Sequence, residues 1–164
     1  MITEDTLLFP QNVVAVLSNA SALLDPDLSI FRRPLRDTDP VQSIGIFAAQ
    51  WYPQEDSYEM RGGLAGPSEP TIDRYTITIQ ALVKDADEQR GLAVHSVLGK
   101  LVRTMLYRNP ALRVGLSSLV TTTGESTERV TRWGVQTQRF HSNEISGSWL
   151  YLSTLEFWVE TQTT

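Results

Sequence analysis

The 164-residue chain contains no cysteine, which removes disulfides, thiol nucleophiles and cysteine-ligated metals and fits a reducing compartment. Histidine occurs only twice, so the commonest general base and zinc ligand is available at two positions alone. No apolar run approaches the roughly 20 residues needed to span a bilayer. The start, MITEDTLLFPQNVV, is acidic and lacks the basic region and apolar run of a secretory signal. The formal net charge of −5 leaves no overall basic footprint of the kind nucleic-acid binders carry. These absences predict a soluble protein, intracellular at synthesis, with no membrane partner. What is present is ordinary for a globular protein: 41% hydrophobic and 20% charged residues, in a length that supports a single domain over 1–164 with a proper core.

Periodicity predicts the elements. A first helix starts at Pro10, a residue suited to a first helical turn. Val13, Val16, Leu17, Ala20 and Leu24 recur at helical spacing, with Gln11, Ser18 and Ala22 turned away. Asp25-Pro26 ends it. A connector over 26–40 carries Arg32, Arg33 and Arg36, and a strand is expected from Val41 to Tyr52. Residues 53–70, PQEDSYEMRGGLAGPSEP, read as a long Gly/Pro-rich loop. In TIDRYTITIQALVKD, Tyr75, Ile77, Ile79, Ala81 and Val83 alternate onto one strand face, with Leu82 the apolar exception on the other. The following helix opens with Asp85 and Glu88 at capping-box spacing and carries the stripe Val94, Leu98, Leu101, Val102 and Met105. Asn109-Pro110 stops it. LSSLVTTT and ERVTRWGVQTQRF flank the turn GEST, and HSNE separates the second of these from a closing strand. The expected fold is α+β: a mainly antiparallel sheet of four to five strands, two helices on one face, and long hairpins or loops for oligomer contacts.

No catalytic constellation is legible. His95 lies at the edge of the second helix's stripe, where a locally hydrogen-bonded histidine is the expectation. His141 and Glu144 share the HSNE turn without the further ligands that zinc needs. Asp85, Asp87 and Glu88 suit a helix N-terminus better than magnesium. RGGLAG lacks the lysine and the strand-to-helix setting of a phosphate loop, and VGLSSL misses the second glycine of a nucleophile elbow. The prediction is no enzyme, no cofactor and no metal. Arg32, Arg33 and Arg36 are either a solvated connector paired with Asp37 and Asp39 or a docking segment for an acidic partner.

The closing stretch ISGSWLYLSTLEFWVETQTT is the most apolar and aromatic in the chain. Alternation puts Trp149, Tyr151, Leu155, Phe157 and Val159 on one face and Leu150, Leu152 and Trp158 on the other. The first face is expected under the helices. The second is expected to meet a neighbouring subunit, since large exposed apolar patches tend to be interaction sites. Trp149→Ala is therefore expected to damage folding, and Trp158→Ala assembly.

The order of elements resembles that of the tail terminator proteins of tailed bacteriophages. The resemblance is carried by PQNVVAVLSNASALL, YTITIQALVKDADEQRGLAVHSVLGKLVRTML, ERVTRWGVQTQRF and WLYLSTLEFWVET, and covers about two thirds of the chain. It implies a small structural virion subunit, assembled in the bacterial host cytoplasm. Its copies close into a ring, typically a hexamer, that caps the tail tube. Such a ring stops tube polymerisation and gives the head a docking surface. The implied partners are further copies of the chain, the tube protein and a neck or head-completion protein. DNA would pass through the lumen without specific binding. Residues 53–70 and the TTTGESTER hairpin are the candidate axial contacts. Other readings of the same pattern are a head–tail stopper, a tube subunit, an adaptor using the arginine connector, or a small-ligand α+β domain with its pocket under the glycine-rich loop.

Overall fold

In the computed structural model, residues 8–53, 71–123 and 125–164 are described. The element order is α1 (Leu8–Ala22), β1 (Ser29–Phe31), β2 (Gln42–Pro53), β3 (Thr71–Asp85), α2 (Glu88–Arg108), α3 (Pro110–Ser117), β4 (Val120–Thr123), β5 (Ser126–Ile145) and β6 (Ser148–Thr163). Among the described residues the strands form one six-stranded sheet in the order β1-β2-β3-β6-β5-β4. Neighbours pair antiparallel except β1, which runs parallel to β2 through Ser29–Ser43, Ile30–Ile44 and Phe31–Gly45.

The sheet is therefore mixed and larger than the four to five antiparallel strands expected. The extra parallel edge comes from a three-residue strand inside the connector, too short to register as a periodic pattern. A third helix also appears. Asn109 and Pro110 do end α2, but the Asn109 side-chain oxygen then accepts from the backbone N–H groups of Ala111 and Leu112. With proline at its first position, this is a helix start as well as a stop. Part of the expected strand LSSLVTTT is consequently helical, and β4 begins only at Val120.

Alternation was a sound guide to the sheet's core face. Ile44, Ile46, Ile77, Ile79, Ala81, Val83, Leu155, Phe157 and Val159 pack with Val13, Leu17, Leu98, Val102, Met105, Leu112 and Leu116 in one cluster. All three helices thus lie over one face. Two details differ from the stripes read in sequence. Ser18, expected outward, is buried, while Leu101 is exposed. The cap of α2 is Asp87, whose side chain accepts from the Arg90 N–H at 2.8 Å. Asp85 instead ends β3, accepts from the Asp87 N–H and pairs with Arg90.

The long hairpin β5–β6 also turns later than HSNE. Pairing continues through His141–Leu152 and Glu144–Trp149 to Ile145–Ser148. The turn is Ser146–Gly147, with φ of 52° and 78°, the left-handed pair whose twist matches a two-residue hairpin. HSNE holds no glycine or proline to mark it as a turn or strand.

Candidate interaction surfaces

β6 presents two unlike faces, as expected from its alternation. Tyr151, Ser153, Leu155, Phe157, Val159 and Thr161 are buried on the helix side. Trp149 shares that parity but is only half-buried and stands outside the core cluster. It lies at the hairpin end of the sheet, opposite Asp85 and Glu144, beyond the reach of the main apolar cluster. The expectation that Trp149 anchors the fold is corrected: Phe157 has that position.

On the opposite face the connector does part of the covering that was assigned to a neighbour. The Leu35 side chain lies against Gly45, and the Leu35 N–H donates to the Gln80 side chain at 2.8 Å. The Lys84 ammonium donates to the carbonyls of Asp37 and Asp39, and the Ser43 hydroxyl donates to the Pro40 carbonyl. Asp39 is the hub. It is 7% exposed, accepts both forks of the Arg33 guanidinium at 2.7 and 3.0 Å, and accepts the Arg36 N–H at 2.6 Å. The hydrogen bonds from Arg33 dominate and hold the Asp39 carboxyl at a pKa of about 2. Arg33 also stacks over Phe31 at 4.2 Å. The three arginines of the connector therefore divide: Arg33 is bound into the fold, while Arg32 and Arg36 are exposed.

Farther along that face stands a second cluster. Trp158 lies flat on Gly134, where an added Cβ would come within 2.9 Å of the indole. A glycine opposite an aromatic across a strand pair is the arrangement that lets a large ring lie down on the sheet. Arg74 caps the ring at 4.4 Å and Arg132 approaches at 5.8 Å. Both guanidiniums also donate to Glu160, Arg132 through two nitrogens at 2.9 and 3.1 Å and Arg74 at 3.3 Å. Those bonds, led by Arg132, draw the Glu160 carboxyl below its ordinary pKa. Of the other residues singled out in sequence, Leu150 is buried and Leu152 half-buried on this same face, with Trp158 also half-buried. The face is thus an aromatic and guanidinium surface with aliphatic ground beside it.

The helix side holds the polar pair that sequence spacing could not reveal. His95 Nε2 and Ser153 Oγ are 2.9 Å apart, both buried, and 58 positions apart in sequence. The Phe140 and Tyr151 rings close around the imidazole at 5.2 and 6.0 Å. Burial lowers the His95 pKa, against a smaller opposing effect of its hydrogen bond to the Ala81 backbone. His141 and Glu144 are exposed strand residues, and among the described residues no group of three or more His, Asp and Glu could hold a metal ion. No described helix is long and apolar enough to cross a membrane. The loop expected at 53–70, with RGGLAG, lies outside the described residues apart from Pro53.

No protein-family model matches the chain, and no curated protein matches it. Solved structures do. A chain described as "Virion of native gene transfer agent (GTA) particle" aligns over 90% of this chain and 92% of that one, at 9% identity and a TM-score of 0.46. Another solved chain aligns over 97% of this chain and 96% of its own length, at 15% identity and a TM-score of 0.41.

Proposed function

We propose that this protein is a structural subunit of a phage-like virion, and specifically a tail terminator whose copies close into a ring on the tail tube. The observation that carries the reading is the pair of open strand edges at the two sides of the sheet. Among the described residues, the outer edge of β2 is paired only at Ser43–Gly45 and that of β5 only at Ser126–Arg129. The open stretches occupy the same rows. Ile46 aligns through Ile79 and Leu155 with Gln138, and Pro53 aligns through Asp73 and Thr161 with Val130.

The strand directions fit as well. From β2 through β3 and β6 to β5 each step is antiparallel, so β2 and β5 run in opposite directions. A copy rotated about an axis along the strands would set its β2 antiparallel beside β5, with no shift of rows. Head-to-tail contacts of this kind generate rings when the rotation closes, and unpaired edges are templates for such pairing. Both stretches carry bulges, between Ala48 and Gln50 on β2 and at Val130/Arg132 and Val135/Thr137 on β5. Bulges twist an edge away from indiscriminate partners and favour one of matching shape.

In this reading the Trp158 face, with Leu152, Arg32 and Arg36 and backed by the buried Leu150, contacts the tube protein, the neck or head-completion protein, or an adjoining copy. The acidic balance suits a lumen that DNA traverses without adhering. The test is negative-stain microscopy and light scattering of the purified protein, alone and with tail tubes. Closed rings seated at one tube end are expected. Self-assembled long tubes would make the protein a tube subunit instead, and a monomer at all concentrations that ignores tube ends would refute the ring.

A further inference from the structure

The seam between the helices and β5 concentrates positive charge in an otherwise acidic chain. Two depressions follow one another along it, of about 600 Å³ and 650 Å³. Arg108, Arg113 and Arg132 line the first, and Lys100 and Arg103 the second. No aspartate or glutamate lines either one. The Arg132 guanidinium turns to the other face of the sheet, so four of the chain's fourteen basic residues face this seam, leaving ten elsewhere against nineteen acidic residues. Arg132 is committed to Glu160 and Arg103 lies over Tyr107 at 5.9 Å. Among the described residues, Lys100, Arg108 and Arg113 meet no carboxylate within ion-pair distance. Trp133 and Phe140 supply apolar walls between the cations.

We propose that this seam binds an extended, carboxylate-rich polypeptide segment of a partner protein. Charge complementarity carries the assignment. Lys100 and Arg103 stand five to eight residues from Arg108 on α2, or roughly 8–12 Å along the helix axis. Carboxylates on alternate residues of an extended chain recur at about 7 Å, so a segment of about six residues spans both depressions. The cations and rings would also suit single-stranded nucleic acid. The distribution of charge favours the polypeptide: outside the seam the chain is strongly acidic and repels a long polyanion, whereas a short acidic segment meets only the seam. The inference does not rest on ring formation: the seam's lining belongs to one subunit, and its β5 wall borders the edge assigned to ring pairing.

The experiment is fluorescence anisotropy with a labelled hexaglutamate peptide and the full chain, at low ionic strength and at about 0.15 M salt. A labelled oligothymidylate is run in parallel. Hexaglutamate is expected to bind, more weakly at the higher salt. Arg108→Glu/Arg113→Glu is expected to weaken it by about tenfold or more, and Lys100→Glu/Arg103→Glu comparably. The control is Arg129→Glu/Arg139→Glu, which changes net charge equally at two exposed positions on the face of β5 away from the seam and should leave binding within about twofold. All three variants alter exposed side chains, and thermal melts verify that each is folded. Absent hexaglutamate binding, equal loss in the control, or tighter binding of the oligothymidylate than of the peptide would each overturn the proposal.

Discussion

Adjacent residues of β6 offer the sharpest test of how its two faces differ. Phe157 is 1% exposed within the core cluster, among Ile77 across the β3 pairing and Val135 across the β5 pairing. Truncating a fully buried phenylalanine costs about 3–5 kcal/mol in lost transfer energy and cavity formation. In a domain of this size each kcal/mol lowers the Tm by about 2–4 °C, so Phe157→Ala should melt about 10–15 °C lower. Trp158 is larger, yet its ring rests on Gly134 and is covered by two guanidiniums whose cation–π contacts contribute about 0.5–1 kcal/mol each at exposed sites. Its partial burial adds a fraction of a full core residue, and the total for Trp158→Ala is about 1–2 kcal/mol, or about 3–6 °C. Thermal melts followed by circular dichroism at low protein concentration read the difference without the added stability of association. The same samples at high concentration in light scattering report assembly, where Trp158→Ala should show the larger defect. If Trp158→Ala melts as low as Phe157→Ala, the second face is ordinary core and the two-face argument fails.

Two further outcomes follow from the geometry. Gly134→Val would drive its side chain into the indole of Trp158, at a cost of about 1–3 kcal/mol for overpacking; a Gly134→Val/Trp158→Ala double variant should recover part of it, and strict additivity of the two losses would refute the contact. His95 is held neutral by burial, with its pKa below the ordinary value. Below pH about 6.5 the unfolded chain takes up a proton that folded His95 resists, so stability should fall as pH drops from about 6.5 towards the folded pKa. Melts from neutral to mildly acidic pH should show that decline in the native protein and a shallower one in His95→Gln; equal slopes would refute it.

Much of the sheet was legible because period-two alternation survives single-sequence reading wherever one face is buried. Tyr75 to Val83 and Tyr151 to Val159 gave the core face correctly, although Thr76, Thr78 and Leu82 on the other face of β3 are buried as well, and the α2 stripe was correct apart from Leu101. What was missed had local signals with two meanings. Asn109-Pro110 both stops and starts a helix, and Asp85 and Asp87 are both plausible caps until the strand's end is known. HSNE, polar and lacking glycine, continued a strand. The interaction residues were less accessible still. Arg33 looks like its neighbours in sequence, and only the fold of the connector brings it to Asp39. Trp158's setting depends on Gly134, Arg74 and Arg132 from two other strands, and the cationic seam on residues from α2, α3 and β5. None of those proximities is encoded in spacing along the chain.

The position of β6 also bears on how the molecule is made. It lies third from one side of the sheet and fourth from the other, between β3 and β5, although it is the last strand in chain order. Every row of the β3 pairing joins residues far apart, from Asp85–Trp149 to Thr71–Thr163, and such distant closures are slow to form. On the ribosome, α1, β2, β3 and α2 would emerge before the strand that completes their shared core. They could not settle until residues 148–163 followed, because Leu155, Phe157 and Val159 complete the layer against which those elements pack. The strongest strand therefore arrives after the elements it completes, and a nascent chain stalled before it has an unfilled centre, open to chaperones and proteases alike.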